Sequence, residues 1–391
     1  MNILFANTQE FNPKIGGVER VTDSLTKQFL KRKNFCVYFI TAFKSPYSKK
    51  YKPAAEQYFL PNTIDLLSEE NVEFFSKFIL NYNIDILINQ AGNILDFSSL
   101  CISVKKHTGV KLISNVHIDP YYKLKVLKNH TPSYMTSNKI LVRIKKVLKF
   151  IYRWHSTKTY ESMLYSKVYN ESDATVLLSQ KFYPNFKKLV SSNDWSRLKA
   201  ISNPSSFIVN EQVFEKKQQL LYVGRLEQKH KGVDRLLTLW KMLYLEFPDW
   251  ELLIVGDGPF RGEMEKYVIK NNLSHIYFKG FQDPQNYYKS ASIFCMTSTF
   301  EGFGMVLIEA AQHSCIPIAF RSFESLDDII DNGVNGFAVT PFSLDEYHQK
   351  LRQLMSDDLY LSNIKKEALK INDKFTVDII VNKWIELFQK I

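Results

Sequence analysis

Two glutamates separated by seven residues, Glu301 and Glu309, bracket the run Gly302-Phe303-Gly304-Met305-Val306. The first carboxylate stands before a glycine loop and the second inside an apolar, helix-like stretch. Bare backbone at the start of a helix presents N–H groups and the positive end of the helix dipole, which suit a phosphate. A carboxylate set between Ile308 and Ala310 needs hydrogen-bond donors, and sugar or ribose hydroxyls would serve. Upstream, Gly224-Arg225-Leu226 follows an apolar run, and Lys231-Gly232 comes shortly after. An arginine fork and a lysine point charge beside a sheet edge could clamp a diphosphate. The same two residues also read as solvated loop charges. Glu301 could instead favour a helix start electrostatically, with Glu309 reaching the surface.

Three weaker signals accompany these. His117, in Ser114-Asn-Val-His-Ile-Asp119, ends an apolar run. It could polarise a substrate hydroxyl, oriented by Asp119, or be a structural histidine. Gly16-Gly17 precedes a helix-like segment and permits close backbone approach to a ligand, although a plain turn fits equally. Gly256-Asp-Gly-Pro259 reads as a turn at the ligand-binding end of a sheet. No Asp-x-Asp occurs, so no carboxylate site for a metal–diphosphate complex is expected. The four cysteines form no C-x-x-C pair, which excludes a zinc signature and fits reduced thiols.

Charge is uneven. Residues 121–160 contain ten Lys and Arg and no Asp or Glu. Within them, residues 140–154 segregate on a helical projection. Ile140, Ile144, Val147, Leu148 and Ile151 fall on one side, with Lys145, Lys146, Lys149 and Arg153 mostly on another. Basic amphipathic helices suit anionic membrane surfaces. The alternative is a core-packed helix with a soluble outer face. Nucleic acid is disfavoured, since no binding motif accompanies the charge. No apolar run reaches the ~20 residues needed to span a bilayer, and the start lacks the marks of a signal peptide.

Elements that would position these residues alternate. Apolar strand-like runs at 3–6, 35–40, 84–88, 110–116 and 174–179 alternate with helical segments. The pattern restarts at 219–223, 250–255, 276–278, 293–296 and 316–320. This is an α/β chain with two doubly wound parallel sheets. The expected division is 1–202, 203–375 and a C-terminal helix, 376–391, packing back on the first domain. Asn203-Pro-Ser-Ser206 reads as the hinge.

Together the segments resemble the family-4 retaining glycosyltransferases (glycosyltransferase group 1), of the GT-B architecture with two Rossmann-like domains facing a central cleft. The matching pieces are Gly16-Gly-Val-Glu19, His117, Gly224-Arg-Leu with Lys231-Gly232, Gly256-Asp-Gly-Pro259, Glu301-Gly-Phe-Gly through Glu309, and Asn332-Gly-Val-Asn-Gly336. Asn203-Pro-Ser-Ser206 departs from the family's usual Asn-Gly-Val-Asp. The resemblance implies that Arg225 and Lys231 neutralise a departing diphosphate. It implies that the backbone of Gly302, Phe303, Gly304, Met305 and Val306 touches donor sugar and phosphate. Glu301 would hold donor-sugar hydroxyls and Glu309 the ribose. Gly16 and Gly17 would approach the phosphates, and His117 would bond the reacting sugar region.

The expected function is retaining, metal-independent transfer of a sugar, with a UDP-sugar favoured as donor, to a glycan or lipid-linked acceptor in surface polysaccharide or lipopolysaccharide synthesis. No cofactor is expected. The expected location is cytoplasmic, peripherally on the inner face of the membrane. Two alternatives remain: a GT-B sugar-nucleotide epimerase, and a catalytically inactive membrane-associated partner subunit.

Overall fold

The computed structural model describes residues 1–14, 16–44, 51–129, 140–207 and 214–391. Lys139, part of the basic segment, lies outside the described residues, as do the side chains of Ile140 and Leu141. The chain divides into two compact units, Met1–Pro204 with Ile380–Ile391, and Ser205–Ile379.

Unit 1 is built on seven strands: β1 (Asn2–Gln9), β2 (Cys36–Phe43), β3 (Glu56–Phe59), β4 (Ile86–Asn89), β5 (Lys111–Val116), β6 (Ala174–Leu177) and β7 (Leu198–Ala200). Their order is β3-β2-β1-β4-β5-β6-β7, with every pairing parallel. Parallel neighbours require crossovers, and the helices between strands supply them. The apolar run Ile3–Ala6 of β1, with β4 and β6, is nearly wholly buried because helices cover both faces. The helix Val377–Phe388 buries Ile380, Val381, Trp384, Leu387 and Phe388. Phe388 meets Phe29 at 5.8 Å, and Arg32 donates to Asn382 at 2.7 Å.

Unit 2 repeats the plan with β8 (Lys217–Val223), β9 (Glu251–Val255), β10 (Ile276–Gly280), β11 (Ala291–Met296), β12 (Ile316–Phe320) and β13 (Phe337–Val339). The order is β10-β9-β8-β11-β12-β13, again all parallel. The helix Val233–Leu243 turns Val233, Leu236, Leu237, Trp240 and Leu243 into the core, at helical spacing. Trp240 can be buried because its ring N–H donates to the Ser274 carbonyl at 2.9 Å.

In each unit the strand order reverses beside the first strand, between β1 and β4 and between β8 and β11. Ligands of open α/β sheets bind at the carboxyl edge of such a switch point. The two-sheet reading of the sequence stands. Three strands escape it: β3, which carries a charge, and the three-residue β7 and β13, all too short for a periodic signal.

Candidate active site

At the carboxyl edge of β8 the chain turns through Gly224-Arg225-Leu226. This turn rests on the loop after β9. Gly224 N–H donates to the Val255 carbonyl at 3.0 Å, and Leu226 N–H to the Asp257 carbonyl at 2.9 Å. A methyl group at Gly256 would run into the Gly224 carbonyl, and one at Gly258 into the Leu226 backbone. The Gly256-Asp-Gly segment is therefore glycine-rich because it beds the arginine loop. Arg225 itself is exposed. Its carbonyl accepts from the buried Tyr222 hydroxyl at 3.0 Å. Burial first, then the charges of Glu301 and Glu227, push the Tyr222 phenol well above its ordinary range, so it stays a donor.

At the carboxyl edge of β11, Lys231 Nζ lies 2.7 Å from Glu301 Oε1, with side-chain exposures of 29% and 14%. Ser298 Oγ donates to the same oxygen at 2.6 Å. Among the described residues nothing is bonded to Oε2. Two further bonds stitch the lysine loop to the glutamate loop. Thr297 Oγ1 donates to the Lys231 carbonyl at 3.1 Å, and Thr299 N–H to the His230 carbonyl at 2.7 Å. Arg235 donates to the Thr297 carbonyl at 3.2 Å. Ser298, Thr297 and Thr299 are short polar residues beside a motif and carry no periodic mark in the sequence, while Arg235 reads there as one more charged residue of a helical segment.

The helix Met305–Gln312 begins after Gly304, whose φ of 92° lies in the left-handed region that favours glycine. Its first N–H groups have no carbonyl partner inside the helix. Met305 and Val306 are half-buried, as is Gly302. Phe303 turns inward, 3% exposed and 5.8 Å from Phe375, with its carbonyl accepting from Ser325 at 3.3 Å.

Glu309 does not reach the surface. It is fully buried, Tyr288 donates to its Oε2 at 3.2 Å, and His313 Nδ1 donates to its carbonyl at 2.7 Å. The Tyr288 and His313 rings stack at 5.8 Å. The reading of Glu309 as a surface side chain is overturned. Asn332-Gly-Val-Asn-Gly336 is a structural turn, in which the Asn335 carboxamide bonds Asp331 N–H and the Ile329 carbonyl.

In unit 1, β4 and β5 end together at the carboxyl edge. His117 Nε2 lies 2.6 Å from Gln90 Oε1. Asp119 does not orient the ring, contrary to the sequence expectation: it is 1% exposed and bonds Lys125 at 2.6 Å and Asn185 at 3.1 Å. The chain turns after His117, which carries Asp119 away from it. Burial pulls the His117 pKa down to about 4, so the ring is neutral at pH 7. Gly16 caps the helix Gly17–Leu30, and a methyl there would strike the Glu19 carboxylate. Gly17 faces open space. Glu19 accepts from Asn7 at 3.2 Å, and burial raises its pKa.

The helix Ile140–Glu171 is 32 residues long. From Glu161 onward it packs into unit 1. Before that its apolar side is uncovered: Ile144 is 50%, Val147 46%, Leu148 60% and Ile151 47% exposed. The core-packed alternative for this segment is overturned. Lys145, Lys149 and Arg153 are exposed and Lys146 is half-buried. Among the described residues no helix is long and apolar enough to cross a membrane. Among the same residues no group of three His, Cys, Asp or Glu is placed to hold a metal ion.

Residues 206–371, nearly all of unit 2, match the glycosyl transferases group 1 family. An amylovoran biosynthesis glycosyltransferase, AmsD of Erwinia amylovora, is 32% identical over 45% of this chain and 50% of its own length. An uncharacterized glycosyltransferase of Haemophilus influenzae is 28% identical over 47% of this chain and 53% of its own. The matched segment thus spans about half the length of these relatives. The structure of Anabaena Alr3699/HepE in complex with UDP and glucose is similar over the full length of both chains, with a TM-score of 0.72 at 16% identity. The second unit thus matches the group 1 glycosyltransferase family over residues 206–371, and the chain as a whole has the GT-B fold.

Proposed function

We propose that this protein is a retaining, metal-independent glycosyltransferase that takes a sugar from a nucleotide donor, a UDP-sugar by preference, to a lipid-linked glycan. The observation that carries the reading is the Lys231–Glu301 pair at the unit 2 switch point, beside Arg225 and the helix start at Gly304. In this reading the donor diphosphate lies on the N–H groups of residues 302–306, with Lys231 and Arg225 as its counter-charges. The anomeric carbon–oxygen bond breaks, and negative charge grows on the departing diphosphate. Fixed cations and N–H dipoles stabilise that charge in the transition state more than in the bound donor. The acceptor hydroxyl attacks from the face of departure and passes its proton to the leaving phosphate oxygen. Glu301 Oε2 receives a donor-sugar hydroxyl. Glu309 binds the ribose once the packing over it opens. Unit 1 contributes His117 and the helix start at Gly16-Gly17 to substrate binding.

UDP is favoured because Alr3699/HepE was solved with it, and a glycan product because AmsD acts in amylovoran biosynthesis. The lipid-linked acceptor and a peripheral place on the cytoplasmic membrane face rest on the helix at 140–160. Its exposed Ile144, Val147, Leu148 and Ile151, with its basic residues, suit an anionic bilayer surface.

The deciding experiment screens nucleotide sugars for protection against thermal unfolding, then follows transfer of the labelled sugar in EDTA. A ligand of the native state raises its apparent stability. Transfer in EDTA with the anomeric configuration kept is expected. Isomerised free nucleotide sugar without an acceptor would replace this reading with an epimerase. No protection by any donor would favour the inactive partner subunit.

A further inference from the structure

We propose that Gln90 is a positioning residue that presents His117 as a hydrogen-bond acceptor only, so that unit 1 selects a substrate through a hydroxyl donated to His117 Nδ1. The inference rests on the transferase reading for its substrate and on the network alone for its polarity. The network is ordered from one end. Thr22 Oγ1 lies 2.8 Å from the Val18 carbonyl, which can only accept, so the threonine proton points there. The Thr22 oxygen must then accept from Gln90 Nε2, at 3.1 Å. That orientation turns Gln90 Oε1 toward β5, where Asn115 Nδ2 donates to it at 3.0 Å and His117 Nε2 meets it at 2.6 Å. An amide oxygen only accepts, so the ring proton sits on Nε2 and Nδ1 carries a lone pair.

Thr22, Gln90 and Asn115 are each at most 2% exposed, so water does not compete for these bonds. Two acceptors are left over. His117 Nδ1 and Asn115 Oδ1 are both buried with no hydrogen-bond partner among the described residues. A buried acceptor without a donor is costly, and a sugar hydroxyl would relieve it. The polarity also excludes a role for His117 as a proton donor to the leaving group. Its neutral state follows from burial alone, because Asp119, the nearest carboxylate in sequence, is engaged by Lys125 and Asn185. Gln90 carries no motif, and only the pairing of β4 with β5 brings it to His117.

The test uses the full chain labelled with nitrogen-15 at histidine. Nitrogen NMR at neutral pH should show His117 protonated on Nε2 and bare on Nδ1. A proton on Nδ1 overturns the proposal whether or not the protein transfers sugar. Gln90→Leu should scramble the tautomer and lower kcat/KM for the nucleotide sugar identified by thermal protection about tenfold, the loss of one hydrogen bond. Gln90→Glu still accepts the Nε2 proton and should rescue activity at alkaline pH. It should lose that activity as pH falls, because the added carboxylate favours a charged ring that no longer accepts at Nδ1. Equal, pH-independent losses in both variants would mean a packing role and sink the proposal. The expected tautomer in a protein that turns over no nucleotide sugar would sink the transferase reading and leave the network standing.

Discussion

Lys231 Nζ stands 2.7 Å from Glu301 Oε1, and Ser298 Oγ donates to that same oxygen at 2.6 Å. The pair is partly shielded rather than solvated, so each charge holds the other in place at the switch point. In the proposed reading, a donor diphosphate arriving here would meet a lysine already positioned and a glutamate with its second oxygen open.

Lys231→Ala should reduce kcat about 10²–10³-fold, the usual cost of removing one fixed electrostatic stabiliser. Arg225→Ala should act in the same direction, and the exposed arginine should leave thermal stability unchanged. Steady-state kinetics beside a melting curve separate the two effects. Near-normal turnover in the double variant would remove the diphosphate clamp from the mechanism.

Glu309→Gln keeps the size of the buried side chain and should raise the donor KM more than it lowers the melting temperature. Tyr288→Phe deletes the hydroxyl that donates to Glu309 and should cost about 1–2 kcal/mol in denaturant unfolding. If Glu309→Gln lost stability and donor affinity in proportion, Glu309 would be a core residue and not a ribose ligand.

Gly256→Ala drives a methyl into the Gly224 carbonyl, so the arginine loop must shift. A loss of about 1–3 kcal/mol is expected, as for overpacking generally. Chemical denaturation measures it. A stability equal to wild type would show that the bed under Arg225 yields without strain.

His117 gives acid sensitivity. Its folded pKa of about 4 lies below the ordinary 6.5, so the unfolded chain binds more protons between those values. Stability contributed by the neutral ring is therefore complete above pH 6.5 and is lost as pH falls toward 4. The full effect is on the order of 3 kcal/mol. Comparing wild type with His117→Asn at pH 7 and pH 5 should show the gap between them change with pH. A constant gap would mean the ring titrates normally.

Charge reversal at Lys145, Lys146 and Lys149 should release the protein from vesicles containing anionic lipid. Ile144→Ser with Leu148→Ser should weaken binding while changing folding stability by less than about 0.5 kcal/mol, since both side chains are exposed. Flotation with vesicles reads the outcome. Unchanged flotation in both variants would end the membrane reading.

Much of this was legible in residue order. Apolar runs alternating with helical segments specify two parallel sheets, because a strand covered on both faces is apolar along most of its length. The glutamate pair, Arg225 and Lys231 are marked by residue type and spacing. Other features have no linear trace. Ser298 and Thr297 matter only because β11 ends beside the lysine loop, and Gln90 matters only because β4 pairs with β5.

Sequence alone determined that two parallel sheets repeat one plan, and the chemistry available at their edges, since these follow from local periodicity and residue type; β3, β7, β13 and the strand order came from the structure. The tertiary structure decided that Glu309 is buried, that Gln90 rather than Asp119 holds His117, and that Ile144, Val147, Leu148 and Ile151 are exposed. Those outcomes depend on which atoms are brought within about 3 Å of each other, and hydrogen bonds and burial are contact properties that no single stretch of chain encodes.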